Sequence, residues 1–283
     1  MRRKTVIPPQ NIYILLMCVN NYGLYHGAWV FRGEACKENP LSASQANELL
    51  QRGGIFVRNV YDYDCTDETS FWYIIKDVYE DLSQYSTSVR GNIRKALRTY
   101  DYKMVSVDEF IELAYPVYYE AMTNYRVKAI PNSKDLFAKD CRNRHNAEYW
   151  VGIEKASGEP AVVAVNVVTG DTYEEQVLKT RPKFMHNSSY PTYGLLHEMS
   201  RHCFQDLGLK VINIGARSFT EHSNIQNFLI HKFHYRKAYC RMRVFYKPWL
   251  RLLVCLLYPF REYIPVLKVK SLLRMEAMCR GEY

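Results

Sequence analysis

The stretch YPTYGLLHEMSRHCFQDLGLKVINIGARSFTEHSNIQNFLIHKFHYRKA, residues 190–238, carries the densest set of start and stop signals in the chain. It reads as helix, strand, loop, helix, strand. Pro191 can open a helix because its missing N–H is not needed in the first turn. Leu195, Leu196, Met199 and Phe204 recur at helical spacing, and Gly208 ends the run. KVINIG is a short β-branched strand that stops at Gly215. A polar turn follows, with Ser223 or Asn224 as the cap of a second helix whose apolar positions are Ile225, Phe228, Leu229 and Ile230.

Upstream, AEYWVGIEK, AVVAVNVVTG and TYEEQVLKT read as three consecutive antiparallel strands joined by ASGEP and TGD turns. Residues 108–124 and 133–145 are amphipathic helices. Asp108 or Ser106 caps the first, and Pro116 predicts a kink or break inside it. Residues 83–99 form another helix. Val89, Ile93 and Leu97 step by four as a narrow apolar stripe, with Arg90, Arg94 and Arg98 as a cationic ridge beside it. That ridge suits an anionic group on a substrate; it equally suits a solvated face paired with Asp77, Glu80 or Asp81. In residues 1–80, IYILLMCV, Ala28–Phe31, IFVRNVYDY and SFWYIIKDV read as strands, and SASQANELLQRGG reads as a short helix.

Two motifs carry a family resemblance. LIHKFHYRKA resembles the GNAT acyltransferase signature in which a helix ends L-Y-E-K-L-G-F, with Leu229, Lys232 and Tyr235 on its leucine, lysine and terminal aromatic. Ser86, Arg90, Ile93, Arg94, Lys95 and Ala96 match S-x-x-x-R-x-x-I-R-K-A, a helix that resembles one common in FemAB-like proteins, relatives of the Fem-type aminoacyltransferases. The resemblance covers roughly residues 70–245 and departs from the pattern in places. His234 stands where the family has glycine, Ile230 where many GNAT enzymes have a tyrosine acid, and no long heptad-bearing hairpin is present. It implies an α/β (α+β) GNAT-like acyl-CoA N-acyltransferase fold, with a mixed, mainly antiparallel sheet and flanking helices. The division expected is an N-terminal α/β portion over 1–80, an acyltransferase core over 81–245 and a basic amphipathic tail over 246–283.

The implied chemistry is transfer of an acetyl or aminoacyl group from acyl-CoA (acetyl-CoA) to an amine of a sugar, glycan or cell-envelope precursor. The competing readings are a catalytically inactive binding or scaffold protein and a tRNA-dependent aminoacyltransferase. GNAT proteins hold the donor's pyrophosphate on a glycine-rich turn at a helix N-terminus, where free N–H groups and the helix dipole favour an anion. SSYPTYGLLHE offers only Gly194 there, so the donor-binding candidates are the backbones of Thr192, Tyr193 and Gly194. The loop ARSFTEHSNIQN lies between strand and helix, where open α/β sheets build sites. It adds Arg217 for an anionic donor or acceptor and Asn224 for a pantetheine arm. Glu221, His222 and Tyr193 are the acid–base candidates, and Arg90 and Arg94 the substrate-binding pair. His222 and Asn224 serve equally well as turn and cap residues.

Composition narrows the classes. The formal net charge is +9, but residues 236–283 hold eleven Lys or Arg against three Glu, while the preceding 235 residues are nearly balanced. The basicity belongs to the tail, which argues against a broad DNA-binding face. The cysteines at 18, 36, 65, 141, 203, 240, 255 and 279 form no C-x-x-C pair, as expected of reduced residues in a cytosolic protein. The spacings of His197, His202 and Cys203, and of His231, His234 and Cys240, match no zinc signature, so no metal is expected. G-x-S-x-G, P-loop and H-E-x-x-H motifs are missing, which removes the commonest hydrolase, kinase and metalloprotease readings. In the tail, Leu252, Leu253, Leu256 and Leu257 lie at helical spacing among Lys247, Arg251, Arg261, Lys268, Lys270 and Arg274. That pattern suits attachment to an anionic membrane surface through 247–283, on the inner face of the membrane; packing of the leucines onto the domain is the alternative.

Overall fold

A computed structural model describes residues 21–25, 27–34, 36–37, 39–124, 130–185, 187–219 and 224–282. The expected strand IYILLMCV and the candidates Glu221 and His222 lie outside the described residues, as does the side chain of Asn224. The elements in chain order begin β1 (Tyr22–Tyr25), β2 (Ala28–Phe31), α1 (Ala43–Gln51), β3 (Phe56–Tyr61) and β4 (Phe71–Lys76). Next come α2 (Thr87–Thr99), β5 (Tyr100–Val105), α3 (Val107–Thr123), α4 (Lys134–Arg142), β6 (Ala147–Glu154), β7 (Pro160–Thr169) and β8 (Thr172–Thr180). The chain ends with α5 (Pro182–Met185), α6 (Pro191–Arg201), β9 (Val211–Ala216), α7 (Asn224–Phe233), β10 (Arg236–Tyr246), α8 (Pro248–Leu257) and α9 (Leu267–Arg280).

The chain divides into two compact units, Met1–Tyr63 with Cys240–Tyr283, and Asp64–Tyr239. The boundaries therefore differ from those expected at 80/81 and 245/246. The reason is a pairing no local pattern reveals: Arg241–Tyr246 of β10 run antiparallel to β3, from Arg241↔Tyr61 to Tyr246↔Phe56. The tail is thus part of the unit that holds β1–β3, in which β2 and β3 are parallel. α1 starts on a reciprocal cap, in which Ser42 Oγ accepts from Gln45 N and Gln45 Oε1 accepts from Ser42 N. It buries Ala46, Leu49 and Leu50 against Tyr22, Trp29 and Val57.

The unit 64–239 holds the order β4-β9-β8-β7-β6-β5. Only β8 and β9 are parallel there; the other pairs are antiparallel. This is the mixed, mainly antiparallel sheet expected, and β6-β7-β8-α6-β9-α7-β10 is the expected order of elements. Alternation along β7 separates two cores. Val162 and Ala164 join a cluster with α2, α6 and α7 through Val89, Ile93, Leu195, Met199, Leu229 and Phe233. Val163 and Val165 face α3 and α4 through Phe110, Ile111, Val117 and Phe137. α3 is capped by Ser106, whose Oγ accepts from Glu109 N, and runs on through Pro116. The expected break does not occur. Proline disfavours a helix interior by about 3 kcal/mol, and burial of Phe110, Ile111, Ala114 and Val117 offsets this.

His234, the substitute for the family's glycine, has φ 54°. The backbone there is left-handed, which favours glycine. His234 occupies it while its Nδ1 bonds Glu80 Oε1 at 2.8 Å and its ring stacks on Tyr85.

Candidate functional site

The parallel strands β8 and β9 pair at only three positions, Thr172↔Val211, Tyr173↔Ile212 and Glu174↔Asn213. Beyond these, β8 continues along β7 and β9 continues along β4, so the sheet forks. Each strand is deformed where it leaves the other. In β8 the register with β7 steps from Asn166↔Glu175 to Val165↔Val177, so that Gln176 is the extra residue of a bulge. In β9 the Asn213 Oδ1 accepts from Gly215 N at 2.9 Å, and Gly215 has φ 98°. Bulges of this kind re-aim side chains at sites.

The first residue of β8 past the fork is Glu175. Its Oε2 is sealed from solvent and finds no hydrogen-bond partner among the described residues. Directly opposite, Asn166 is fully buried, and its Oδ1 is likewise sealed and without a partner among the described residues. Facing residues of an antiparallel pair project to the same side, so the two side chains lie on one face of the sheet, where Asn166 Nδ2 meets Met199 Sδ at 3.2 Å. Burial alone pushes the Glu175 carboxyl up to about 8. Its charge in turn helps to raise the hydroxyl of Tyr235, although burial is the larger cause. An unpartnered ionisable group of this kind is a mark of a functional site. Sequence reasoning missed Glu175 because TYEEQVLKT shows two adjacent carboxylates and nothing that marks one of them as having an oxygen sealed from solvent.

α6 begins beside the end of β8, six residues beyond the last β8–β9 pair. Thr180, the last residue of β8, bonds Thr192 through their hydroxyls at 2.7 Å. Tyr190 at the cap position has φ 58° and makes no side-chain cap, and Pro191 has no N–H. Tyr193 N donates to Tyr190 O at 2.9 Å, so the Thr192 N–H is the first-turn donor best placed to meet an anion. The Tyr193 ring packs on Tyr190, Phe228 and Phe233. Its hydroxyl bonds Asn92, and burial raises its pKa, which keeps it protonated.

Gly194 has a packing reason to be glycine. A Cβ there would lie 2.4 Å from the Tyr102 Oη and 2.5 Å from its ring. Tyr102 cannot retreat, because its hydroxyl donates to Pro191 O at 2.8 Å and Gly152 lies against the ring as well. Gly194→Ala is therefore expected to destabilise the chain by about 1–3 kcal/mol, read as a lower urea midpoint, with Tyr102→Leu restoring part of it. A Gly194→Ala protein as stable as the native one contradicts this packing argument.

Arg90 touches Thr87 at 3.5 Å, and Arg94 and Arg98 are exposed. None of the three enters an ion pair among the described residues. The acids expected to neutralise them are engaged elsewhere: Asp77 with Arg236, Glu80 with Lys76 and His234, and Asp81 at its own turn. The cation of α2 that meets the start of α6 is Lys95, whose ammonium lies 5.9 Å from the Tyr190 ring centroid. Arg217 is held elsewhere: its N donates to Trp72 O and its Nη1 to Ser70 O, each at 2.8 Å, and its guanidinium lies 4.1 Å over the Trp72 ring. Lys237 lies 4.2 Å from the same ring centroid. Ile230 packs against the core beside α6. Among the described residues no group of three or more His, Cys, Asp or Glu is placed to share a metal ion.

No protein-family model matches the chain, and no curated protein matches it. Among solved structures it is similar to the C-terminal domain (DUF2156) of a putative lysylphosphatidylglycerol synthetase from Agrobacterium fabrum. The two share 11% identity over 77% of this chain and 78% of that one, with a TM-score of 0.48. It is also similar to L-PGS from Bacillus licheniformis, at 11% identity over 85% of this chain and 70% of that one, TM-score 0.46. A third is FemX, at 10% identity over 70% of this chain and 68% of that one, TM-score 0.44. At such values the chemistry has to be read from this chain's own residues.

Proposed function

We propose that the unit 64–239 is an N-acyltransferase in which Glu175 accepts the proton of the attacking amine and the first turn of α6 holds an anionic acyl donor. The observation that carries this reading is the Glu175 Oε2 at the strand fork, sealed from solvent and without a hydrogen-bond partner among the described residues. A carboxylate whose conjugate acid has a pKa of about 8 is a far stronger base than an exposed one, and it is part ionised near neutral pH. In the reaction the amine nitrogen bonds the acyl carbon, the bond from that carbon to the donor's sulfur or oxygen breaks, and the amine proton passes to Glu175. The Tyr193 hydroxyl, held protonated, is the hydrogen-bond donor for the carbonyl or the departing group. The rate should rise with pH through about 8, as Glu175 ionises. A rate that is flat from pH 6 to 9 contradicts the assignment.

Lys95 and the Thr192 N–H are the groups assigned to the donor's phosphate. Lys95→Ala is expected to weaken binding of a coenzyme A thioester by about tenfold, the value of one charge-assisted hydrogen bond, with the thermal melt unchanged. Calorimetric titration checks this, and equal affinity in the variant contradicts it. The acceptor is carried as an amine of a sugar, glycan or cell-envelope precursor, the class that the family resemblance implies.

A second donor is favoured by the ridge Arg90, Arg94 and Arg98, which has no counter-charge among the described residues. An exposed run of this kind suits an extended polyanion, and hence aminoacyl-tRNA. Affinity for RNA would fall steeply with salt, roughly in proportion to the phosphates contacted. A thioester held at one helix end would show a shallow dependence. The reading as an inactive scaffold meets one objection: a carboxyl oxygen sealed without a partner among the described residues is destabilising, a cost that a catalytic task explains.

A further inference from the structure

α8, in the unit formed by Met1–Tyr63 and Cys240–Tyr283, has two apolar faces and only one of them is covered. Leu250 and Val254 are buried with Tyr258, Leu273 and Ala277. Trp249, Leu252 and Leu256 are 56%, 63% and 62% exposed, and Leu253 is 42% exposed. At about 100° per residue these four side chains fall within one arc of roughly 100°. Phe260 prolongs the arc, and Tyr263, Val266 and Leu267 are exposed on the segment that follows. Exposed apolar area on this scale marks a contact surface.

The segment that carries the patch is rich in cations. Residues 247–261 contain no acidic side chain, and the one acid between Phe260 and Tyr263, Glu262, lies 3.8 Å from Arg261. Lys247, Arg251, Lys268 and Lys270 enter no ion pair among the described residues. No helix of the described residues is long and apolar enough to cross a membrane. An exposed tryptophan on an apolar helix face, a phenylalanine just beyond it and several cations in the same segment are the composition of a helix that lies in the interface of a bilayer.

We propose that this face docks on an anionic lipid surface, with Trp249, Leu252, Leu256 and Phe260 entering the acyl-chain boundary and the basic side chains of the flanking segments, Lys247, Lys268 and Lys270, meeting the phosphates. A second copy of the chain fits less well, since a two-fold contact would set the same cations against each other. The proposal does not depend on the transferase reading.

The test is co-sedimentation of the full chain with vesicles of equal parts phosphatidylglycerol and phosphatidylcholine, and with vesicles of phosphatidylcholine alone. Binding to the anionic vesicles is expected to be stronger by on the order of a hundredfold, at ~1 kcal/mol for each of three basic groups. The double variant Leu252→Glu with Leu256→Glu changes only exposed positions, so its thermal melt should match the native one while sedimentation is lost. Equal binding to both vesicle types overturns the proposal, as does binding to neither or native-like sedimentation of the double variant. A dimer abolished by the double variant, with no vesicle binding, assigns the face to self-association instead and also overturns it.

Discussion

Glu175→Gln is expected to yield a protein more stable than the native one at pH 9 and slower in acyl transfer by about 10²–10⁴-fold. The stability change follows from the carboxyl's proton. In the unfolded chain a glutamate titrates near 4.5, whereas burial raises Glu175 to about 8. The folded state therefore holds the proton more tightly. This contribution is fully present below about pH 4.5 and is lost as the pH rises through about 8. Above that range the native protein carries a charge that its surroundings disfavour, with one carboxylate oxygen sealed from solvent. Glutamine has no charge to bury, and its N–H₂ can donate toward Asn166 Oδ1. Urea denaturation of both proteins at pH 5 and pH 9 measures the difference. A gain that is large at pH 9 and small at pH 5 is expected. Equal stabilities at pH 9 would show that the carboxyl is solvated or paired, and the base assignment would fall with it.

Lys76→Ala is expected to be the most damaging single change outside the fork, at about 3–5 kcal/mol. Lys76 is 3% exposed, yet it carries an ammonium. That group donates to Phe233 O at 2.8 Å, pairs with Glu80 and lies 5.4 Å from the Tyr85 ring centroid. Burial lowers its pKa, while the contact with Glu80 opposes the shift. It therefore joins β4 to the end of α7, two segments that are far apart in sequence. Alanine leaves a carbonyl and a carboxylate short of a donor and opens space in the core. Lys76→Met with Glu80→Gln removes the stranded charge and should recover a good part of the loss, apart from the unmet Phe233 carbonyl. A loss below about 1 kcal/mol for Lys76→Ala would mean that the pair is solvated and contributes as a surface bridge does.

The fold was legible where local chemistry decides it. Ser42, Ser86, Ser106 and Ser133 cap the helices that follow them, and the 2-residue alternation of AVVAVNVV gives β7 its two faces. Gly208 ends the run that begins at Pro191, although the last turn widens to a π-helix over His202–Asp206. Of the kink or break expected at Pro116, the break does not occur, since tertiary burial outweighs the penalty of one proline. The division of the chain was not legible, since the β3–β10 register joins residues about 180 positions apart.

The site was legible only in part. His234 stands at a left-handed position, so the glycine that the resemblance implies is a backbone requirement, met here by a residue with its own partner. Arg90 and Arg94 form the ridge that their spacing predicts, yet Lys95, one residue further on, is the cation brought to α6. Gly194 is a packing residue under Tyr102, a contact between β5 and α6 that only the folded chain creates. Glu175 depends on a bulge at Gln176 and on the separation of β8 from β9. Both are properties of strand pairing, and no residue type announces them.

The most direct test of the transferase reading is calorimetric titration of the full chain with coenzyme A thioesters and with aminoacyl-tRNA. Saturable binding of one donor, weakened about tenfold by Lys95→Ala at unchanged folding, is the predicted result. A flat titration with both donors would contradict it.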